Sequence, residues 1–216
     1  MIHTTDMMIC CSFAKKAGNF GMGFHNAAAE KLGLDFLYKS FAVDDIGKAI
    51  AAMRTLKFRG AAVSMPYKIE VLKHVDRITE SVQSIGASNT IVNDGSLVAY
   101  NTDWLAAQKM LDITRARTGL KELVILGNGG YAKAVAYAAS TVLMPVTNIT
   151  RCNWSSLNSI HEKIVFNCTP VEGVKVDSSN AFVDCVVGTE TGNKLALWQA
   201  QVQFELFTGH HVAVDD

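Results

Sequence analysis

The stretch L-V-I-L-G-N-G-G-Y-A-K-A-V, running from Leu123 to Val135, decides how the chain is read. Four apolar residues, three glycines within four positions and helix-forming alanines spell a buried strand, a tight turn and a helix start. Glycines at 127, 129 and 130 let main-chain N–H groups approach a phosphate without a Cβ in the way, at the positive end of the following helix. Gly127, Asn128, Gly129, Gly130, Tyr131 and Ala132 are therefore candidates for a pyrophosphate cradle. The dinucleotide fingerprint has its third glycine at the position of Ala132, where a small residue is tolerated. Taken alone, such a turn is equally an ordinary strand-to-helix connection, so its surroundings must decide.

Those surroundings are electrically balanced. The 216 residues carry 20 basic and 20 acidic side chains, which leaves no net pull toward nucleic acid or an anionic membrane and points to small-molecule partners. No apolar run approaches the roughly 20 residues of a membrane helix, and the opening M-I-H-T-T-D lacks a signal-peptide layout, so a cytoplasmic protein is expected. The five cysteines have no zinc or redox spacing and read as reduced, mostly buried apolar residues. The histidines show no ligand spacing either; no metal is expected, and His25 reads as a residue that packs or caps locally.

Upstream of the glycines, residues 7–11 and 36–41 read as strands, with helices over 20–32 and 43–56. Residues 60–66 read as a third strand, 69–85 as a broken helix, and 90–93 with 97–100 as a hairpin turned at Asp94-Gly95. A helix over 104–111 leads out. Downstream, residues 146–149, 164–167 and 182–187 read as strands, and 195–206 closes the chain as a helix. This alternation predicts an α/β protein with largely parallel sheets in two domains. The first, residues 1–104 completed by 193–216, is the expected substrate domain; residues 105–192 form the expected Rossmann-like nucleotide domain, with the C-terminal helix returning to the first.

Three stretches hold polar residues where surface or core would be expected: G-A-A-V-S-M-P-Y-K at 60–68, G-A-S-N-T at 86–90 and Y-N-T-D-W at 100–104. They are joined by the glycine-rich turn, an Asn-x-Thr-Pro segment at 167–170, and a final helix with Gln-Ala and Gln-Phe-Glu between 199 and 205. In this order the motifs make the chain resemble the shikimate/quinate dehydrogenase family, on its shikimate dehydrogenase-like branch. The resemblance implies an oxidoreductase of aromatic amino acid biosynthesis. Its reaction would be reversible NADP-dependent hydride transfer between shikimate and 3-dehydroshikimate, or a closely related cyclic hydroxy acid.

The same resemblance implies Lys68 and Asp103 as the catalytic pair. Oxidising a ring alcohol needs a base for the hydroxyl proton as hydride leaves, and a lysine serves near neutral pH only if its pKa, about 10.4 in water, is lowered. A neighbouring carboxylate acts in the opposite direction, so desolvation is the expected cause and Asp103 the expected positioning group. Ser12 matches the first serine of a Ser-x-Ser pair suited to a ring carboxylate, with Ala14 in place of the second. Asn89 matches an asparagine that reads ring hydroxyls, and Gln199 a glutamine from the closing helix. Ser64, a further substrate contact, stands where the family has threonine, Ala62 where it has asparagine and Trp104 where it usually has glycine. One donor fewer to a charged group, about 1.5–3 kcal/mol, leaves binding possible and substrate identity open. Quinate or an amino-substituted ring is the alternative substrate, and a non-catalytic ligand sensor the alternative role. Retention of Lys68 with Asp103 argues for the enzyme.

About 20 residues past the glycines of such a domain, an acid selects NAD and an arginine accommodates the NADP phosphate. Here the place reads Asn148-Ile149-Thr150-Arg151, with no acid before Glu162. NADP is therefore expected over NAD, held by Arg151 with the Thr150 hydroxyl as a second donor. The nucleotide domain is short, having only 188–191 and 152–161 where family members carry longer stretches. Hinge closure over the ring, in a monomer or homodimer, is what the layout implies.

Overall fold

The strand β1 (Met8–Ala14) is apolar on both faces, and alternation sends Cys10 into one core and Cys11 and Phe13 into another. A strand so divided belongs inside a covered sheet. It pairs in parallel with β2 (Phe36–Ala42) on one side and β3 (Gly60–Val63) on the other. The two edge-side pieces are β4 (Arg77–Ile78) and the hairpin of β5 (Thr90–Asn93) and β6 (Leu97–Tyr100), which complete a sheet of order β2-β1-β3-β5-β6-β4. The sheet is mixed: β2–β1, β1–β3 and β6–β4 pair in parallel, while the Asp94-Gly95 turn, with Gly95 at φ +106°, makes β5 and β6 antiparallel, and β5 also runs antiparallel to β3.

The computed structural model describes residues 4–214, in two compact units. One contains the chain up to Thr102 together with the residues from Ala200 onward, the other Asp103–Gln199. In the first, α1 (Phe20–Lys31) and the end of the last helix, α6 (Glu190–Thr208), cover the face carrying Cys10, Phe36 and Tyr38. The opposite face is covered by α2 (Ile46–Thr55), a 3₁₀ turn over Glu70–His74, and α3 (Glu80–Ile85). Asp45 begins α2 by accepting the N–H of Lys48 at 2.9 Å. Two expected elements are corrected. Residues 69–85 are not one broken helix: Asp76 accepts the N–H of Leu97 at 2.7 Å, pinning the chain to the sheet between the 3₁₀ turn and α3. β3 stops at Val63: the Ser64 N–H makes the last rung, to the Phe13 carbonyl of β1 at 2.9 Å, and the Tyr67 N–H turns back to the Ser64 carbonyl at 2.9 Å.

The second unit opens with α4 (Asp103–Thr118) and continues through β7 (Leu123–Leu126), α5 (Gly130–Thr141), β8 (Val146–Ile149), a 3₁₀ segment over Arg151–Ser159, β9 (Ile164–Asn167) and β10 (Ala181–Asp184). All pairings are parallel, in the order β10-β9-β7-β8. β7, central and buried throughout, reads as the continuous apolar run such a position demands. α4 packs on α5, with Trp104 edge-on to Tyr137 at 5.2 Å. The other face is covered by Leu157 of the 3₁₀ segment, with Trp154, Ile160, Val174 and Val176. β10 ends before the expected residue 187 because its last carbonyl, that of Asp184, accepts the Thr191 hydroxyl at 2.9 Å.

The cysteines depart from expectation: Cys10 and Cys11 are buried, but Cys152 is exposed and Cys168 and Cys185 are half-buried. Among the described residues, no helix is long and apolar enough to cross a membrane.

Candidate active site

Four sequence-predicted site residues meet at one end of the first sheet. Ser12 lies near the end of β1, in register with Ala62 of β3. Ser64 follows β3 directly. Asn89 precedes β5, and its carbonyl accepts the Val63 N–H at 2.8 Å. Lys68 is brought to the same place by main chain, since Ser88 N–H donates to its carbonyl at 2.7 Å. The 60–68 and 86–90 stretches are thus two sides of one corner. Lys68 and Ser12 are half-buried there and Ser64 is exposed.

The Asn89 side chain is buried and its orientation is set from several directions. Its Nδ2 donates to Thr102 Oγ1 at 2.9 Å, while its Oδ1 accepts the Thr102 N–H at 2.7 Å and the Thr90 hydroxyl at 2.8 Å. From α6, Gln203 Nε2 donates to the Asn89 carbonyl at 3.1 Å and to Thr90 Oγ1 at 2.9 Å. Thr102 and Gln203 are the positioning residues that reading the sequence missed. Gln203 had one available signal: it is a polar residue next to Phe204, four after Gln199, on the buried stripe of a helix.

His25 packs, as expected. It is fully buried, stacked on Tyr38 at 4.4 Å, and neither ring nitrogen has a hydrogen-bond partner. Burial, weakly opposed by Gln203, holds its pKa down at about 3. Its neighbour Asn26 clamps the outer strand, donating to the Tyr38 carbonyl at 2.9 Å and accepting the Tyr38 N–H at 2.8 Å.

In the second unit, Asp103 is the buried first residue of α4, where the positive helix end favours a carboxylate. Gln199, also counted with this unit, is half-buried and donates from its side chain to the Ala196 carbonyl at 2.9 Å. The glycine turn links β7 to α5, at the carboxyl ends of the parallel strands where β8 and β9 flank β7 on opposite sides. That is the switch point at which doubly wound sheets bind ligands. Gly127, at φ +110°, holds a conformation reserved for glycine, and a Cβ there would meet Thr169 Cγ2 at 3.0 Å. At Gly129 a Cβ would project into open space, and the α5 end that it caps has neither a side-chain cap nor an acid in its first turn. These residues fit a pyrophosphate. Tyr131 offers it main chain only, because its ring turns inward onto Phe166, 6.3 Å away, and its phenol is buried. Thr150 is engaged locally: its hydroxyl and N–H both donate to Asn153 Oδ1, at 3.1 and 2.7 Å, in a capping box. Arg151 is exposed and makes no ion pair among the described residues.

Comparison with known proteins bears on this arrangement. A family model described as the shikimate dehydrogenase substrate binding domain matches residues 21–91. A shikimate dehydrogenase-like protein of Haemophilus influenzae is 45% identical over 134 residues, 62% of this chain and 49% of that protein. A shikimate dehydrogenase (NADP(+)) of Pyrococcus abyssi is 42% identical over 119 residues, 55% of this chain and 45% of its own length. The chain thus spans about half the length of the curated relatives it matches. A solved shikimate 5-dehydrogenase-like structure superposes with a TM-score of 0.81 at 30% identity, covering 98% of this chain and 95% of the other. A shikimate dehydrogenase solved in complex with NADP+ has a TM-score of 0.80 at 22% identity over 97% and 93%, a likeness of fold.

Proposed function

The chain belongs to the shikimate/quinate dehydrogenase family, and from there we propose that it catalyses reversible NADP-dependent hydride transfer between shikimate, or a closely related cyclic hydroxy acid, and its ketone. The observation that carries this reading is the corner closed by the Ser88–Lys68 main-chain bond. It holds the Lys68 main chain beside the oriented amide of Asn89, at the sheet end where β1 carries Ser12 and β3 leads into Ser64. Hydroxyls and an amide suit the oxygens of a polyhydroxylated ring acid; a lysine among them suits proton transfer.

In this reading Lys68 takes the proton of the reacting hydroxyl as hydride leaves the same carbon. Asn89 reads the ring hydroxyls from the orientation that Thr102 and Gln203 impose. Ser12 and Ser64 take the remaining ring oxygens, Gln199 joins them from α6, and Asp103 positions the lysine and the hydroxyl. Bound NADP supplies the hydride acceptor. Gly127, Asn128, Gly129, Gly130, Tyr131 and Ala132 would hold its pyrophosphate, and Arg151 its additional phosphate, by bidentate pairing. Ala14 favours a second substrate reading, with quinate or an amino-substituted ring as the preferred acid.

The test is NADP reduction by the purified protein with shikimate and with quinate. Turnover with one acid establishes the reaction and ranks the substrates. Binding of a ring acid without turnover would replace the enzyme by a ligand sensor.

A further inference from the structure

We propose that Ser40, on the strand beside Ser12, binds the substrate carboxylate and fills the role left open at Ala14. In the parallel register of β1 and β2, Ser12 lies opposite Ser40, Cys10 opposite Tyr38, and Ala14 opposite Ala42. Residues so paired share a sheet face, and Cys10 with Tyr38 fixes which one: the face covered by α1 and the end of α6. Ser12 therefore has a hydroxyl neighbour on one side and only the methyl of Ala62 on the other. Two residues on, both β1 and β2 carry alanine, so the sheet itself places only methyl groups beside the two hydroxyls on that side.

Ser40 is 8% exposed, yet its hydroxyl makes no hydrogen bond among the described residues. Its oxygen is not sealed off from solvent, and a carboxylate, with two acceptor oxygens, can accept from both serines at once. The strand that carries it is fixed in place, since Asn26 bonds both main-chain groups of Tyr38. Behind the pair stands the Tyr38 phenol. Burial pushes its pKa well above the ordinary value, against the smaller effect of the adjacent Ser12 hydroxyl, so it stays protonated as a neutral donor. The ligand class is a monocarboxylate on a small ring, gripped by neutral hydroxyls.

This assignment rests on the ring-acid reading above. Its test is calorimetric binding of shikimate and of methyl shikimate, which lacks the anionic carboxylate, to the wild type, Ser12→Ala, Ser40→Ala and Ser40→Thr. Ser40→Ala is expected to weaken shikimate by about 10- to 100-fold, as does Ser12→Ala, while changing methyl shikimate by less than about threefold. Ser40→Thr, which keeps the hydroxyl, retains the preference for the acid, and Ala14→Ser restores shikimate binding to Ser40→Ala. Equal weakening of acid and ester, or no weakening of either, overturns the role of Ser40 and leaves the ring-acid reading intact. A wild type that binds neither shikimate nor quinate overturns both.

Discussion

Ser88 donates its main-chain N–H to the carbonyl of Lys68 at 2.7 Å, so the proposed proton-transfer residue is anchored through its backbone to the residue preceding Asn89. The Lys68 side chain can therefore be changed without breaking this bond.

Lys68→Met keeps the bond and removes the amine. Turnover is expected to fall about 10²- to 10⁴-fold, the range for loss of a general base. Unfolding free energy should change by less than about 0.5 kcal/mol, because the side chain is half-buried and its main-chain tie survives. Steady-state kinetics beside urea titrations of the same preparations separate the two. A variant that loses stability in proportion to activity would make Lys68 a structural residue.

Gln203→Leu removes two donated hydrogen bonds, to the Asn89 carbonyl and to Thr90 Oγ1, inside a buried network. The expected cost is about 1–3 kcal/mol of unfolding free energy, with a rise in KM for the ring acid because Asn89 loses its alignment. Gln199, by contrast, is half-buried and donates to the Ala196 carbonyl within its own helix.

The contrast between these glutamines marks where the sequence is legible. The hairpin and the β7 strand follow from local signals, an Asp-Gly turn and an unbroken apolar run, and their bounds need no distant partner. The polar stretches at 60–68 and 86–90 stand out for the same reason: the residues of each are close in sequence. Their meeting is not local. It depends on β3 and β5 pairing antiparallel, which also makes the first sheet mixed. Gln203 reaches Thr90 across 113 positions, and Ser40 meets Ser12 only through the β1–β2 register. The Thr150 hydroxyl shows the reverse case, a local bond to an acceptor three residues on that a search for ligand contacts does not count.

Two glycines of the turn separate backbone strain from ligand space. Gly127→Ala places a Cβ at φ +110° and against Thr169, and should cost about 1–3 kcal/mol of stability as well as NADP binding. Gly129, at φ −82°, meets nothing, so Gly129→Ala should leave unfolding unchanged yet weaken NADP by at least about tenfold, because the Cβ occupies the phosphate approach. Fluorescence titration with NADPH and thermal melts check both, and unaltered binding in Gly129→Ala would move the cofactor elsewhere.

His25 makes stability depend on pH in a direction fixed by its burial. Its folded pKa, about 3, lies below the 6.5 of a free imidazole, so between these values the unfolded chain binds a proton that the native state refuses. Stability is whole above pH 6.5 and is lost as the pH falls toward 3. Each pH unit within that window costs about 1.4 kcal/mol, so roughly 3 kcal/mol disappears between pH 6.5 and 4.5 from this residue alone. Carboxylates add their own dependence, and a reference chain removes it. His25→Phe keeps an aromatic ring between Tyr38, Phe204 and Phe207 but cannot titrate. Its unfolding free energy should gain on the wild type by that same roughly 3 kcal/mol over the two units. Parallel curves for the two proteins would mean that His25 reaches solvent or a partner in the native state.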